Sequence, residues 1–149
     1  MTVTDAVGET LTANREAPVI PTNLLLALAS AGEAVTGLLL LLAPRVVVGW
    51  LLGAEIAGAG VAVGRIAGMS LIALGAACWP AGEAGGGERR ALSALLVYSV
   101  LVAVYLATLG IEGVAVGRLL WPAVALHAAL SILVARAWMM DPEIRARKQ

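Results

Sequence analysis

Charged residues are scarce in this chain. They make up 13% of its 149 residues, whereas 60% of the residues are hydrophobic. A typical soluble domain has a charged share of about 25%. A chain this short cannot bury so much apolar surface in a core of its own, because much of any small domain remains surface. We therefore expect the lipid bilayer to be its principal partner.

Several reactive groups are also rare or missing. Cys78 is the only cysteine and His127 the only histidine. The sequence therefore offers no intrachain disulfide and no CxxC pair, and it supplies a single imidazole for a metal or haem iron. No phosphate-binding loop or catalytic triad is recognisable. The formal net charge is zero and no basic block occurs, which argues against nucleic acid as a partner. We predict no catalytic residues, no cofactor and no metal site.

Four long apolar runs dominate what is present. They cover approximately residues 24–43, 56–79, 91–111 and 119–137, and each is close to the 20 or so residues that cross a bilayer as a helix. The sequence thus predicts an all-α integral membrane bundle of four transmembrane helices over residues 22–139. Residues 46–54 are apolar but too short to span, so an interfacial or re-entrant segment is expected there. Residues 1–21 and 140–149 are predicted to be tails.

Basic residues lie unevenly on the two sides of these runs. Seven flank them on the side of the termini and two on the opposite side: Arg15, Arg89, Arg90, Arg136, Arg145, Arg147 and Lys148 against Arg45 and Arg118. Because loops that carry more lysine and arginine stay in the cytoplasm, we predict a multi-pass inner-membrane protein with both termini cytoplasmic.

Five polar side chains fall inside the apolar runs. They are Glu33, Arg65, Tyr98, Tyr105 and His127. If the outer membrane boundary lies near residues 44, 56, 111 and 119, a rise of about 1.5 Å per residue places all five in the middle part of the membrane. We expect Glu33 and Arg65 to form an ion pair, because an unpaired charge at the bilayer centre costs about 2.5–3.5 kcal/mol. His127 and the tyrosine hydroxyls are expected nearby.

This predicted polar cluster has two interpretations. In the first the cluster is structural: an ion pair with additional hydrogen bonds determines how the apolar, alanine-rich helices pack. In the second it is a proton or substrate site, with Glu33 and His127 titrating near Arg65, since ionisable groups within membranes often mark such sites. The sequence leaves both open.

Glycines recur at four-residue intervals around Arg65. Gly60, Gly64 and Gly68 therefore lie along one helix face, where the backbone of a neighbouring helix can approach closely. We predict that they serve helix packing, either inside the bundle or between copies of the chain.

Three segments resemble a known family. GEAVTGLLLLLAP in the first run, GRIAGMSLIALGAACW in the second and WPAVALHAALSILVARAW in the last resemble small bacterial four-helix membrane proteins of the broad DoxX-like kind. The resemblance covers about residues 22–139 and implies the fold. Some of those proteins are associated with oxidoreductase complexes. The resemblance implies no catalytic residue.

A second resemblance concerns Glu33. The segment AGEAVTG is similar to the first helix of small multidrug transporters, which have four helices and a carboxylate midway along the first. Arg65 departs from that pattern, because an arginine beside the carboxylate would oppose the binding of cations.

Three functions follow from these observations. The first is a non-enzymatic accessory or scaffold subunit of a membrane assembly, either a homo-oligomer or a larger complex. The second is a dimeric proton-coupled carrier of small molecules that uses Glu33 and His127. The third is a component of a membrane oxidoreductase.

Overall fold

The fold is an all-helical bundle, seen in a computed structural model that describes residues 20–80 and 86–140. Its helices are α1 (Thr22–Leu42), α2 (Pro44–Leu52), α3 (Ala59–Ala77), α4 (Gly86–Ile111) and α5 (Leu120–Met140). Four of them, α1, α3, α4 and α5, are long and apolar enough to cross a membrane. The predicted fold class is confirmed. The predicted tails lie outside the described residues except for residues 20, 21 and 140.

Two helix boundaries differ from the predicted spans. The second span begins at Ala59 rather than near residue 56, because residues 54–57 are not helical and Gly58 takes a φ of 51°. The third begins at Gly86 rather than near residue 91, since the helix includes the charged residues Glu88 to Arg90. The short apolar segment forms helix α2, with Pro44 at its first position, where a missing N–H costs little.

The four long helices pack as two antiparallel hairpins. α1 packs along α3, and α4 packs along α5, whereas contacts between the two hairpins are sparse. Within the first hairpin the backbones nearly touch. A methyl group on Gly68 would lie 2.5 Å from the Gly37 carbonyl oxygen, and one on Gly75 would lie 2.6 Å from the Ser30 carbonyl oxygen. Small residues at such positions let membrane helices approach closely.

Helix α2 joins the hairpins at one end of the bundle. The Val116 N–H donates to the Leu52 carbonyl at 3.0 Å, and the Leu119 N–H donates to the Trp50 carbonyl at 2.9 Å. Gly117 packs directly on this backbone, leaving no room for a β-carbon. We call this end the α2 side and the opposite end, where α1 begins and α5 ends, the termini side.

Two apolar clusters fill the interior, one toward each end. The termini-side cluster is built from α1, α4, α5 and the residue after α3: Leu25, Leu26, Ala29, Cys78, Ala91, Leu92, Leu95 and Val134. Leu74 of α3 packs against it. The α2-side cluster has a smaller buried core: Leu106, Ala115 and Leu120. Leu51 and Leu52 of α2 pack against it. The level between the two clusters is the middle of the bundle.

Tryptophans mark the helix ends. Trp50, Trp79 and Trp121 are exposed, and Trp138 lies beneath the Arg89 guanidinium, whose carbon is 5.5 Å from the ring centroid. Exposed tryptophan at the ends of apolar helices is typical of the headgroup level of a membrane.

Candidate functional site

Glu33 is the buried acidic residue of the bundle. It lies near the middle of α1, about 16 Å from the start of the helix and 14 Å from its end at 1.5 Å per residue, and it is only 6% exposed. Acidic residues are almost never so deeply buried without a polar partner. The surroundings of its carboxyl group therefore define the candidate site.

The second hairpin supplies those surroundings. Tyr98 of α4 and His127 of α5 are half-buried and contact each other, with ring centroids 5.9 Å apart and ring planes at 63°. The Tyr98 hydroxyl and the His127 imidazole are the polar groups of this hairpin that lie close enough to influence the Glu33 carboxyl group. We call Glu33, Tyr98 and His127 the polar centre. It lies where the two hairpins meet.

The orientation of His127 is fixed by its own helix. Its Nδ1 lies 2.9 Å from the Ala123 carbonyl oxygen, and because a carbonyl only accepts, Nδ1–H must donate. This assigns the tautomer and leaves Nε2 as the nitrogen that can take up a proton. The Ser131 hydroxyl donates to the His127 carbonyl at 2.7 Å. These two hydrogen bonds tie the ring and the backbone of His127 to its own helix.

The structure does not bring Arg65 to Glu33. Gly37 lies opposite Gly68 and Ser30 opposite Gly75, so Arg65 falls near the level of Leu40, about 10 Å from Glu33 along the helix axes. Glu33 is buried, whereas Arg65 is exposed. Among the described residues the expected ion pair is not formed. The predicted depth assumed a helix starting near residue 56, and α3 starts three residues later.

Tyr105 also lies away from the polar centre. It is 65% exposed, although the seven-residue spacing puts it on the same face of α4 as Tyr98. Two helical turns separate these tyrosines by about 10 Å. This face of α4 is half-buried at Tyr98 and exposed at Tyr105.

The predicted packing glycines divide into two groups. Gly68 packs on the backbone of α1, and a methyl group on Gly64 would lie 3.0 Å from the Pro44 β-carbon. Gly60 instead packs on Ile56 of the preceding connection, at 3.2 Å. Gly75, which sequence reasoning missed, extends the close contact toward the termini side. The sequence spacing could have identified Gly75, since it lies seven residues after Gly68 and therefore on the same helix face.

Two serines add polar groups next to the polar centre. Ser30 and Ser99 are fully buried, and neither hydroxyl oxygen has a hydrogen-bond partner among the described residues. Ser30 precedes Glu33 by one helical turn, and Ser99 follows Tyr98 directly. Nearly all buried polar groups in proteins have a hydrogen-bond partner. The two serine hydroxyl groups are therefore exceptions among the described residues. Ser99 was missed because a serine in an apolar run is a weak signal.

The polar centre lies between the two apolar clusters. The termini-side cluster lies on one side of it along the bundle axis and the α2-side cluster on the other. Within residues 20–80 and 86–140, no group of three or more His, Cys, Asp or Glu side chains could hold a metal ion. What the arrangement offers chemically is a carboxyl group, an imidazole and a phenol in an apolar surrounding.

Comparison with known proteins yields no relative from which a role could be transferred. No family model, no curated protein and no solved structure matches this chain. A functional interpretation of this four-span membrane bundle therefore depends on the geometry of its polar centre.

Proposed function

We propose that this protein is a proton-coupled carrier of small molecules in the inner membrane, working through Glu33 and His127. The observation that carries the proposal is the buried Glu33 carboxyl group beside Tyr98 and His127, with Arg65 elsewhere. A permanent cation beside Glu33 would favour a purely structural ion pair. Glutamate and histidine, by contrast, are both side-chain types that can gain or lose a proton.

The charges of the polar centre suggest the class of substrate. With Glu33 ionised and His127 neutral, the centre carries one net negative charge in an apolar surrounding, which is unfavourable. Either a proton or a small cation would neutralise it. Competition of the two for one carboxylate couples their movements, so we propose that the carrier exchanges protons for a cationic small molecule.

The two-hairpin architecture is compatible with alternating access. The apolar clusters lie on either side of the polar centre along the bundle axis, and few contacts join the hairpins. Opening one cluster at a time would expose the centre to one side of the membrane and then to the other, as rocking of packed units does in larger carriers. The excess of basic residues on the termini side supports cytoplasmic termini.

The experiment uses purified protein in liposomes with a pH gradient. We expect the wild type to accumulate the lipophilic cation tetraphenylphosphonium in exchange for protons, and Glu33→Gln to reduce this to the level of empty liposomes. Glu55→Gln is the matched control, because Glu55 is an exposed acid outside the long helices. Folding of each variant is checked by circular dichroism.

Two outcomes would contradict the proposal. One is the absence of any pH-driven proton or cation flux in vesicles containing folded wild-type protein. The other is equal flux in wild type and Glu33→Gln, which would show that transport does not depend on the polar centre.

A second candidate is an accessory or scaffold subunit, as a homo-oligomer or within a larger complex. It is favoured by the surface that the chain leaves uncovered: only 11% of the most apolar part of α5 is buried, and 17% of α3 and α4. Lipid or another membrane protein must cover these faces. In this proposal the polar centre holds the two hairpins together.

Purification from native membranes tests this candidate. A partner protein that co-purifies in stoichiometric amount would support it. A visible absorption band in the purified material would favour the oxidoreductase assembly suggested by the DoxX-like resemblance.

A further inference from the structure

Arg65 lies about 10 Å nearer the α2 side of the bundle than Glu33 does. It is the seventh residue of α3, about 9 Å from the start of the helix, near the level of Leu40, which is two residues from the end of α1. Side chains on a helix tilt toward its N-terminus, and the N-terminus of α3 is on the α2 side. An extended Arg65 side chain can therefore reach toward the α2-side headgroup region, as snorkelling arginines do.

A second exposed arginine lies on the neighbouring helix α2, on the same side of the bundle. Pro44 packs against Gly64, and Arg45 and Arg65 are the residues that directly follow these two. With consecutive Cα atoms 3.8 Å apart, the Cα atoms of the two arginines are within about 14 Å of each other. Both are exposed, and no salt bridge joins either to another described residue. Two extended arginine side chains can meet across such a distance.

The surroundings match the headgroup region of a bilayer. Val46 and Trp50 of α2 are exposed beside this pair, at 47% and 53%, and tryptophan at the end of an apolar region prefers the headgroup level. The anionic group found there is the phosphate of a phospholipid. Guanidinium groups bind phosphate oxygens through paired hydrogen bonds.

We propose that Arg45 and Arg65 together bind the phosphate group of a phospholipid on the α2 side of the bundle. The site anchors the junction of α1, α2 and α3 to the headgroup layer. It explains an arginine on an otherwise apolar helix without requiring a partner at Glu33. The proposal is independent of the transport function.

The test measures phospholipid retained by the purified protein in native mass spectrometry, with phosphatidylglycerol as the probe. We expect the wild type to retain it, and the double variant R45Q/R65Q to bind it about tenfold more weakly or worse, because charged hydrogen bonds are lost. Arg118→Gln is the matched control: this exposed arginine lies on the same side, in the connection between α4 and α5, and we expect no change.

Three results would overturn the proposal. They are unchanged retention in the double variant, an equal loss in Arg118→Gln, and displacement of the lipid by inorganic phosphate at equal concentration, which would assign the site to free phosphate. If the double variant does not fold, R45K and R65K replace it. Each keeps the charge but loses the paired hydrogen bonds, so retention equal to that of the wild type would contradict the proposal.

Discussion

Gly68→Leu is expected to prevent accumulation of folded protein in the membrane. The leucine β-carbon would lie 2.5 Å from the Gly37 carbonyl oxygen and 2.8 Å from the Leu41 nitrogen. These are backbone atoms of α1, so the clash is relieved only if α1 and α3 separate. Overpacking costs about 1–3 kcal/mol even where side chains can move. We expect a larger loss here, a substantial part of the roughly 5–15 kcal/mol that stabilises a typical protein.

The measurement is the yield of monodisperse protein after detergent extraction, followed by thermal unfolding monitored by circular dichroism. Gly32→Leu is the matched control, since Gly32 lies on an exposed face of α1 and a β-carbon there would meet nothing within 4 Å. Its yield and melting temperature should stay close to those of the wild type. Equal yields for both variants would mean that α1 and α3 do not pack as described.

Glu33 and His127 are expected to be energetically coupled, whereas Glu33 and Arg65 are not. Removing either member of the first pair leaves the other with one polar neighbour fewer, at a cost of about 1–3 kcal/mol for a buried group. A double-mutant cycle of Glu33→Ala and His127→Ala should therefore give a coupling of about 1 kcal/mol, the usual size for polar contacts within membranes.

The same cycle with Arg65→Ala provides the control. Because Arg65 is exposed and about two helical turns away from Glu33, its effect should add to that of Glu33→Ala within about 0.5 kcal/mol. The free energy of unfolding is measured in mixed micelles for all variants. Energetic coupling of Glu33 to Arg65 rather than to His127 would contradict this arrangement and support the ion pair predicted from the sequence.

The fold could be predicted from the sequence because the apolar runs that indicate it are long and continuous. Four continuous apolar runs of sufficient length leave few alternatives to helices in a bilayer. The same reasoning selected Glu33, Tyr98 and His127, since a polar side chain inside such a run stands out. Their distances to the helix ends permitted a meeting in the middle of the bundle, but the same distances also placed Arg65 there.

Arg65 and Tyr105 show where sequence reasoning stops. The depth of Arg65 depended on where α3 begins, and the φ of 51° at Gly58 moved that start by three residues. Spacing along one helix gives the shared face of Tyr98 and Tyr105 but not how far a neighbouring hairpin covers it. The pairing of helices into hairpins rests on the backbone contact of Gly37 with Gly68, which depends on two segments at once.

Proton exchange at Glu33 is the central claim, and infrared difference spectroscopy tests it most directly. Purified protein in lipid is taken through a series of pH steps, and the carbonyl stretch of a protonated carboxyl group in an apolar surrounding is followed. We predict a reversible, pH-dependent band in the wild type and in Glu55→Gln that is absent in Glu33→Gln and altered in His127→Ala. A band that persists unchanged in Glu33→Gln, or a Glu33 carboxyl group that keeps one protonation state at every pH, would contradict the account.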